Sequence, residues 1–599
     1  MIYARWAPPA PTRRREITRV KGPEDPPRLG LAAGSIVGVR RPVGRLALFA
    51  LLALASPALA FDPTREEQNY SKINERQAEY STPAYQKDLA ARGAQREAET
   101  EELRVRDPER DPYANLCAHP MNGCAGDVRL YDWEKNGYGI VKPVEWTTRN
   151  GATISGHVWM TRAGSEQRPG IVITNGSVQA PEQLYWFAAQ TLAKRGYVVL
   201  TADPQGQGLS DTNGEGADRG EGVPSQAGRP FYDGTEDAID FFYSSPLRPY
   251  SPRRSCTTGT SHRAKQVRRV HAGLDAAYNP LWRYFDHRRL GLAGHSFGAA
   301  GVSFVGQKDP RVKAIVAWDN LAAPAAAISF QGQRFDCASN PASRTVPPIT
   351  KPALGMSADY YLTPTPYSSD PDPLGKSPGS LAYSRAHVDT GELVIRGGTH
   401  YEFSYIPNQA FGATLRRMDA VAWYTGAWFD KYVRGDQGAD RRLLTSRWRA
   451  DAAEAAVDPT SDGNLFSFYY RSRLQIHRAD GGLFRCENLR AGCPGLSTGD
   501  GVAGPYSYLA AARTKDGTPS SCRTRSLTVR LPRLRSGERI RQVTLYVNGR
   551  RVRTVRGRHL PTRVTIHRPS SRAFGLRIVV RTTRRTYALG RTFAACPSR

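Results

Sequence analysis

The chain lacks any run of the ~18 continuous apolar residues that a membrane helix needs, so no bilayer-spanning segment is expected in its body. Its eight cysteines lack C-x-x-C spacing, which argues against a zinc site. The acidic, turn-like stretch 458–464 lacks the ligand spacing of a calcium loop, and no metal cluster stands out. Residues 521–599 lack lysine and hold one glutamate beside 21 arginines. That stretch carries +20 of the net +29, and residues 1–60 carry +7. The 460 residues between them carry +2, so a near-neutral body is joined to a basic tail module.

At 599 residues the chain exceeds one ordinary core, and two or more units are expected. Residues 1–60 carry the marks of an export signal. Arg40, Arg41 and Arg45 precede the apolar run 46–55, and Ala58-Leu59-Ala60 offers a cleavage site before Phe61. An uncleaved anchor is the alternative, but the run is short for a span. The stretch before Arg40 is long for such a signal, which a start at Val37 or Val39 would explain. The expectation is a soluble protein, secreted or extracytoplasmic, and in that compartment an even cysteine count suggests disulfides. Locality favours Cys117–Cys124 and Cys486–Cys493. Cys522 and Cys596 bracket the tail module, which leaves Cys256 with Cys337.

Residues 61–125 read as a polar lead-in, helical or disordered and exposed. Residues 126–520 read as the main domain. Alternation over 138–160 around Asn150-Gly151 predicts a hairpin. Residues 170–174 and 197–203 are buried-strand runs separated by a helix-like stretch, 183–195. Strands alternating with helices imply α/β architecture with a mainly parallel sheet. A capping pattern at 233–236 predicts a helix over 237–243. The long Gly/Pro/Ser/Arg-rich connections 204–232 and 245–265 suggest partial cover of a site within the 204–290 insertion. Further strands are expected at 312–319 and 352–356, with 393–395 the last. Spacing over 415–432 predicts a helix with one packed face. Residues 436–520 are weakly patterned and read as an extension. Residues 521–599 alternate as short strands with Asn548-Gly549 as a turn, suggesting a small β-sandwich closed by Cys522–Cys596.

The most telling stretch is 290–300. Gly294-His295-Ser296-Phe297-Gly298 follows an apolar run and precedes small helix formers, the context of a nucleophile elbow. Such a turn exposes the serine Oγ, and side chains two positions to either side would collide, hence the glycines. It also sets the Phe297 amide at a helix N-terminus, where it can donate to an oxyanion. A second donor should come from the loop after 170–174, and Asn175-Gly176-Ser177 offers the Ser177 amide. A serine hydroxyl needs a histidine base, and that base needs an acid. In this arrangement the chain order is Ser, acid, His. Among His387, His400 and His477, His400 lies in a glycine-containing loop just past a strand, which favours it as base. Two acids compete: Asp359 after the strand preceding the histidine strand, and Asp319 at the end of 314–319. Asp359 is favoured, and Asp319 reads alternatively as a helix cap.

Together, 294–298, 175–177, the loop 203–211, Asp359 and His400 resemble the α/β-hydrolase superfamily over about residues 130–440. Gly355-x-x-Ala-Asp359 with Gly398-Thr-His400 resembles its secreted bacterial cutinase, polyesterase and dienelactone-hydrolase-like branch. His295 stands where that branch usually has Trp, and the oxyanion loop lacks its aromatic residue. The resemblance implies an α/β-hydrolase fold and a carboxylic ester hydrolase working through an acyl-enzyme. Ser296, Asp359 and His400 would form its triad, Ser177 and Phe297 would supply the oxyanion hole, and no cofactor would be required.

The expected partner is a small or polymeric ester, without nucleic acid or a stable membrane anchor. The tail module is read either as a solvated accessory domain or as a holder of anionic surfaces. A serine peptidase of the same fold, and a non-catalytic binding protein that has kept the fold, are the rival functions.

Overall fold

The computed structural model describes residues 62–68 except 65, 83–112, 125–162, 166–177, 180–219, 228–327, 329–330, 333–334, 346–406, 415–449, 464, 466–502, 526–530, 539–547, 550–556, 563–567, 574–584 and 586–593. All belong to one compact unit, Pro57–Arg599. The expected export signal, Cys117, Cys124, Cys337, Cys522, Cys596 and the Asn548-Gly549 turn lie outside the described residues.

A long first helix, α1 (Pro83–Arg106), precedes the hairpin strands β1 (Gly139–Thr147) and β2 (Thr153–Thr161). Then come β3 (Arg168–Thr174), α2 (Trp186–Lys194), β4 (Val198–Ala202), α3 (Arg229–Phe242) and α4 (Arg263–His271). The elbow joins β5 (Phe285–His295) to α5 (Phe297–Lys308). The chain continues through β6 (Val312–Trp318), β7 (Ala353–Ala358), α6 (Pro378–Arg385), β8 (Thr390–Ile395) and α7 (Leu415–Phe429). Two further strands, β9 (Arg473–His477) and β10 (Leu483–Cys486), complete one ten-stranded sheet.

Its order is β1-β2-β4-β3-β5-β6-β7-β8-β9-β10. The pairs from β4 to β8 are parallel, and antiparallel strands flank them at both ends. The central strands are buried on both faces, which is why they read as continuous apolar runs rather than alternating ones. Along β3, Ile171 and Ile173 face a core layer shared with α2 and α7, while Val172 faces the layer of α3 and α5. Phe241 and Phe242 are fully buried, each worth about 1.5–3 kcal/mol relative to exposure.

Several expectations change. β8 is not the last strand, because 436–520 returns to the sheet as β9 and β10. The end of β10 is tied to the turn that follows it by Cys486–Cys493, with Cα atoms 5.9 Å apart. Cys256 is also disulfide-bonded. The helix expected over 237–243 starts eight residues earlier, at Arg229. Asp233, Glu236 and Asp237 lie inside it and bind the buried Arg149 guanidinium at 3.4, 3.0 and 2.8 Å. A charge cluster, not a cap, explains those acids. Part of the insertion is therefore core rather than cover. The lead-in is not free-standing: α1 buries Leu89 and Leu103, Tyr85 bonds Tyr405, and Arg110 meets Asp211 at 2.7 Å.

In the tail, β12 (Ile540–Val547), β13 (Arg550–Arg556), β15 (Phe574–Thr582) and β16 (Thr586–Phe593) form an antiparallel sheet ordered β13-β12-β15-β16. The strands β11 (Ser526–Arg530) and β14 (Arg563–His567) pair separately.

Candidate active site

Ser296 sits where β5 turns into α5, with φ 57° and ψ −120°. A non-glycine residue in that region is strained, and the surroundings show what holds it. The Ser296 amide donates to the Trp318 carbonyl on neighbouring β6 at 2.9 Å. A Cβ on Gly294 would fall 2.3 Å from the Gly298 oxygen, and one on Gly298 the same distance from the Asn175 and Thr174 oxygens. Both glycines are thus required by backbone crossing backbone. Phe297 opens α5, and its ring stacks on Phe231 at 5.5 Å.

The loop after β3 passes against the elbow. A Cβ on Gly176 would lie 3.0 Å from the Ser296 Cβ, so the chain carrying Ser177 runs alongside the nucleophile candidate. Ser177 itself is half-buried. The loop is pinned from 203–211, where Gln207 Nε2 donates to the Gly176 carbonyl at 2.8 Å and Gln207 Oε1 accepts from the Ala180 amide at 2.9 Å.

His400 lies past β8 in a short turn capped by Thr399. Its amide donates to the Tyr361 carbonyl at 2.7 Å, and its ring centroid is 4.5 Å from that of His295, the residue before Ser296. Its Nδ1 is 2.5 Å from Asp319 Oδ2. A carboxylate only accepts, so Nδ1 is the nitrogen that donates to it. Burial raises the Asp319 pKa, but the His400 hydrogen bond and charge outweigh it and hold the carboxyl below its ordinary value.

The favoured acid is therefore corrected: the structure brings Asp319, not Asp359, to His400. β6 pairs directly with β5, His295 standing opposite Trp318, so the next residue, Asp319, emerges beside Ser296. Asp319 itself has φ 47°. Asp359 follows β7, one strand farther from the elbow. Its Oδ2 accepts the Gly397 amide at 2.6 Å, which braces the loop leading to His400. The sequence held a usable signal here: a strand–helix–strand crossover tends to set consecutive strands side by side, and Asp319 ends the strand reached directly from the elbow helix. His387 and His477 take no part. The first follows α6, and the second is exposed and bound to Asp389.

Sequence reasoning also missed three supporting residues. Gln207 was hidden in a glycine-rich loop. Tyr185 is buried, its hydroxyl 2.8 Å from His295 Nδ1. Tyr361 is 68% exposed beside the imidazole, ring centroids 5.4 Å apart. Among the described residues no group of His, Cys, Asp and Glu is arranged to hold a metal, and no helix is long and apolar enough to cross a membrane. No family model and no curated protein matches the chain.

Proposed function

We propose that the protein is a serine hydrolase of carboxylic esters with an α/β-hydrolase fold, working through an acyl-enzyme. Ser296 attacks the ester carbonyl. His400 Nε2 takes the hydroxyl proton and returns it to the leaving alcohol, while Asp319 holds the imidazole in the required tautomer. The Phe297 and Ser177 amides receive the oxyanion. Asp359 acts through the His400 loop rather than on the imidazole.

The observation that carries this reading is the 2.5 Å His400–Asp319 pair, whose imidazole centroid lies 4.5 Å from that of His295, the residue before a serine at φ 57°. A strained serine at the end of the strand that meets an oriented imidazole is costly to maintain without a chemical use. A panel of p-nitrophenyl esters of increasing acyl length tests it. The parent should hydrolyse short esters, and Ser296→Ala should lose about 10⁶-fold in kcat. An inactive parent, or an active Ser296→Ala variant, rejects the proposal.

Export, and a β-sandwich arrangement for the tail module, belong to the same reading. The module is also proposed to hold the enzyme on an anionic polymer. Arg550, Arg551, Arg553 and Arg556 are all exposed along β13, and residues 521–599 hold one acid. Binding to an anionic polysaccharide column should weaken steeply with salt, and Arg551→Glu with Arg556→Glu should elute at lower salt with unchanged ester hydrolysis.

A further inference from the structure

His295 is fully enclosed, and its two ring nitrogens have partners on opposite sides. Nε2 lies 3.0 Å from the His400 carbonyl. A carbonyl only accepts, so Nε2 carries a proton. Burial and the nearby His400 imidazole hold the His295 pKa well below the ordinary histidine value, so Nδ1 is bare. Nδ1 therefore accepts from the Tyr185 hydroxyl at 2.8 Å. Burial raises the pKa of that hydroxyl, so it keeps its proton. Its oxygen in turn accepts the Gly176 amide at 2.9 Å. The directions are thus fixed by elimination: Gly176 N–H to Tyr185, Tyr185 O–H to His295, His295 Nε2–H to His400. Tyr185 is itself stacked on Trp318, the residue before Asp319, at 6.5 Å with planes 6° apart.

We propose that His295 is a positioning residue, a neutral bridge fixing the loop of Gly176 and Ser177 against the loop of His400 across the elbow. The functional half of the proposal rests on the hydrolase reading. The bridge requires a neutral imidazole. When His400 becomes a cation during acyl transfer, a second cation with its ring centre 4.5 Å away would oppose it. A protonated His295 would also lose the Tyr185 hydrogen bond, because Nδ1 could no longer accept. Apolar residues of similar size fill the space but join nothing. Glutamine supplies one acceptor and one donor and can serve both partners.

Two measurements test this on the full chain. In ¹⁵N-histidine NMR, residue 295 should show a protonated Nε2 and a bare Nδ1, without titrating between about pH 5 and 8. A titrating ring, or a proton on Nδ1, overturns the bridge whether or not the protein hydrolyses esters. In kinetics, His295→Phe should lose about 10²-fold in kcat with KM nearly unchanged, the scale expected when reacting groups drift by an ångström. His295→Gln should recover about tenfold of that loss. A folded Phe variant at parental rate, or a Gln variant no better than Phe, overturns the positioning role. If His295→Phe fails to fold, Tyr185→Phe replaces it, with kcat expected about tenfold below the parent; a parental rate there counts equally against the proposal. An inactive parent with the expected NMR pattern rejects the hydrolase reading alone.

Discussion

Two loops leave adjacent strands of the central sheet, each opening on a buried aspartate. After β6, Asp319 meets an imidazole at 2.5 Å. After β7, Asp359 meets a backbone amide at 2.6 Å. Both are buried carboxylates at the same rim, yet one meets an imidazole and the other a backbone amide. The difference teaches that role follows strand adjacency rather than residue type. The strand beside the elbow delivers its acid to the site, and the next strand delivers its acid to the frame.

The sharpest way to break this comparison is to neutralise each acid in turn. Asp319→Asn should lower kcat by about 10⁴-fold, because the amide favours the wrong imidazole tautomer. Asp359→Asn should change kcat by less than about tenfold. Equal losses from the two variants would erase the distinction.

Stability should sort the pair the other way. Asp359→Ala strands the Gly397 amide in the interior and should cost about 1–3 kcal/mol in denaturant melts, with the His400–Asp319 pair intact. A variant as stable as the parent would show that Asp359 is not a brace.

A third carboxyl, Glu392 on β8, sharpens the contrast because its pKa is shifted the opposite way from that of Asp319. Burial pushes its pKa up to about 8, and it accepts from the Ser357 hydroxyl. Its folded pKa lies above the unfolded value, so stability held at low pH is lost as pH rises from the ordinary carboxyl range through about 8. Glu392→Gln should not show that loss. Its Tm should exceed the parent's by at least about 2 °C at pH 9 and match it near pH 5, and identical pH profiles would contradict the assignment. Asp319 has the opposite sign. Its pKa is depressed below 3.8, so its contribution is present above that value and disappears as pH falls through the folded pKa. The Tm gap between parent and Asp319→Asn should close in acid.

Much of this was legible in the sequence. The elbow, the strand before it and the glycine pair are local features, and local chemistry fixes them. His400 was identifiable because a glycine-bearing loop past a strand is also a local pattern. The acid was not, because choosing between Asp319 and Asp359 requires the order of strands, which is set by packing. β9 and β10 were missed for a related reason: they sit at a sheet edge, where apolar patterning is short and the disulfide at Cys486–Cys493 adds support. The Asp233–Glu236 pattern misled because the same residues that cap a helix can also serve a buried arginine. Tyr185 and Gln207 bind partners far away in sequence and leave no periodic trace.

The most direct test of the account is mass spectrometry after exposure to a fluorophosphonate. The account predicts a single adduct on Ser296, formed much more slowly in Asp319→Asn and at near-parental rate in Asp359→Asn. No adduct, an adduct on another serine, or equal slowing in both variants would contradict it.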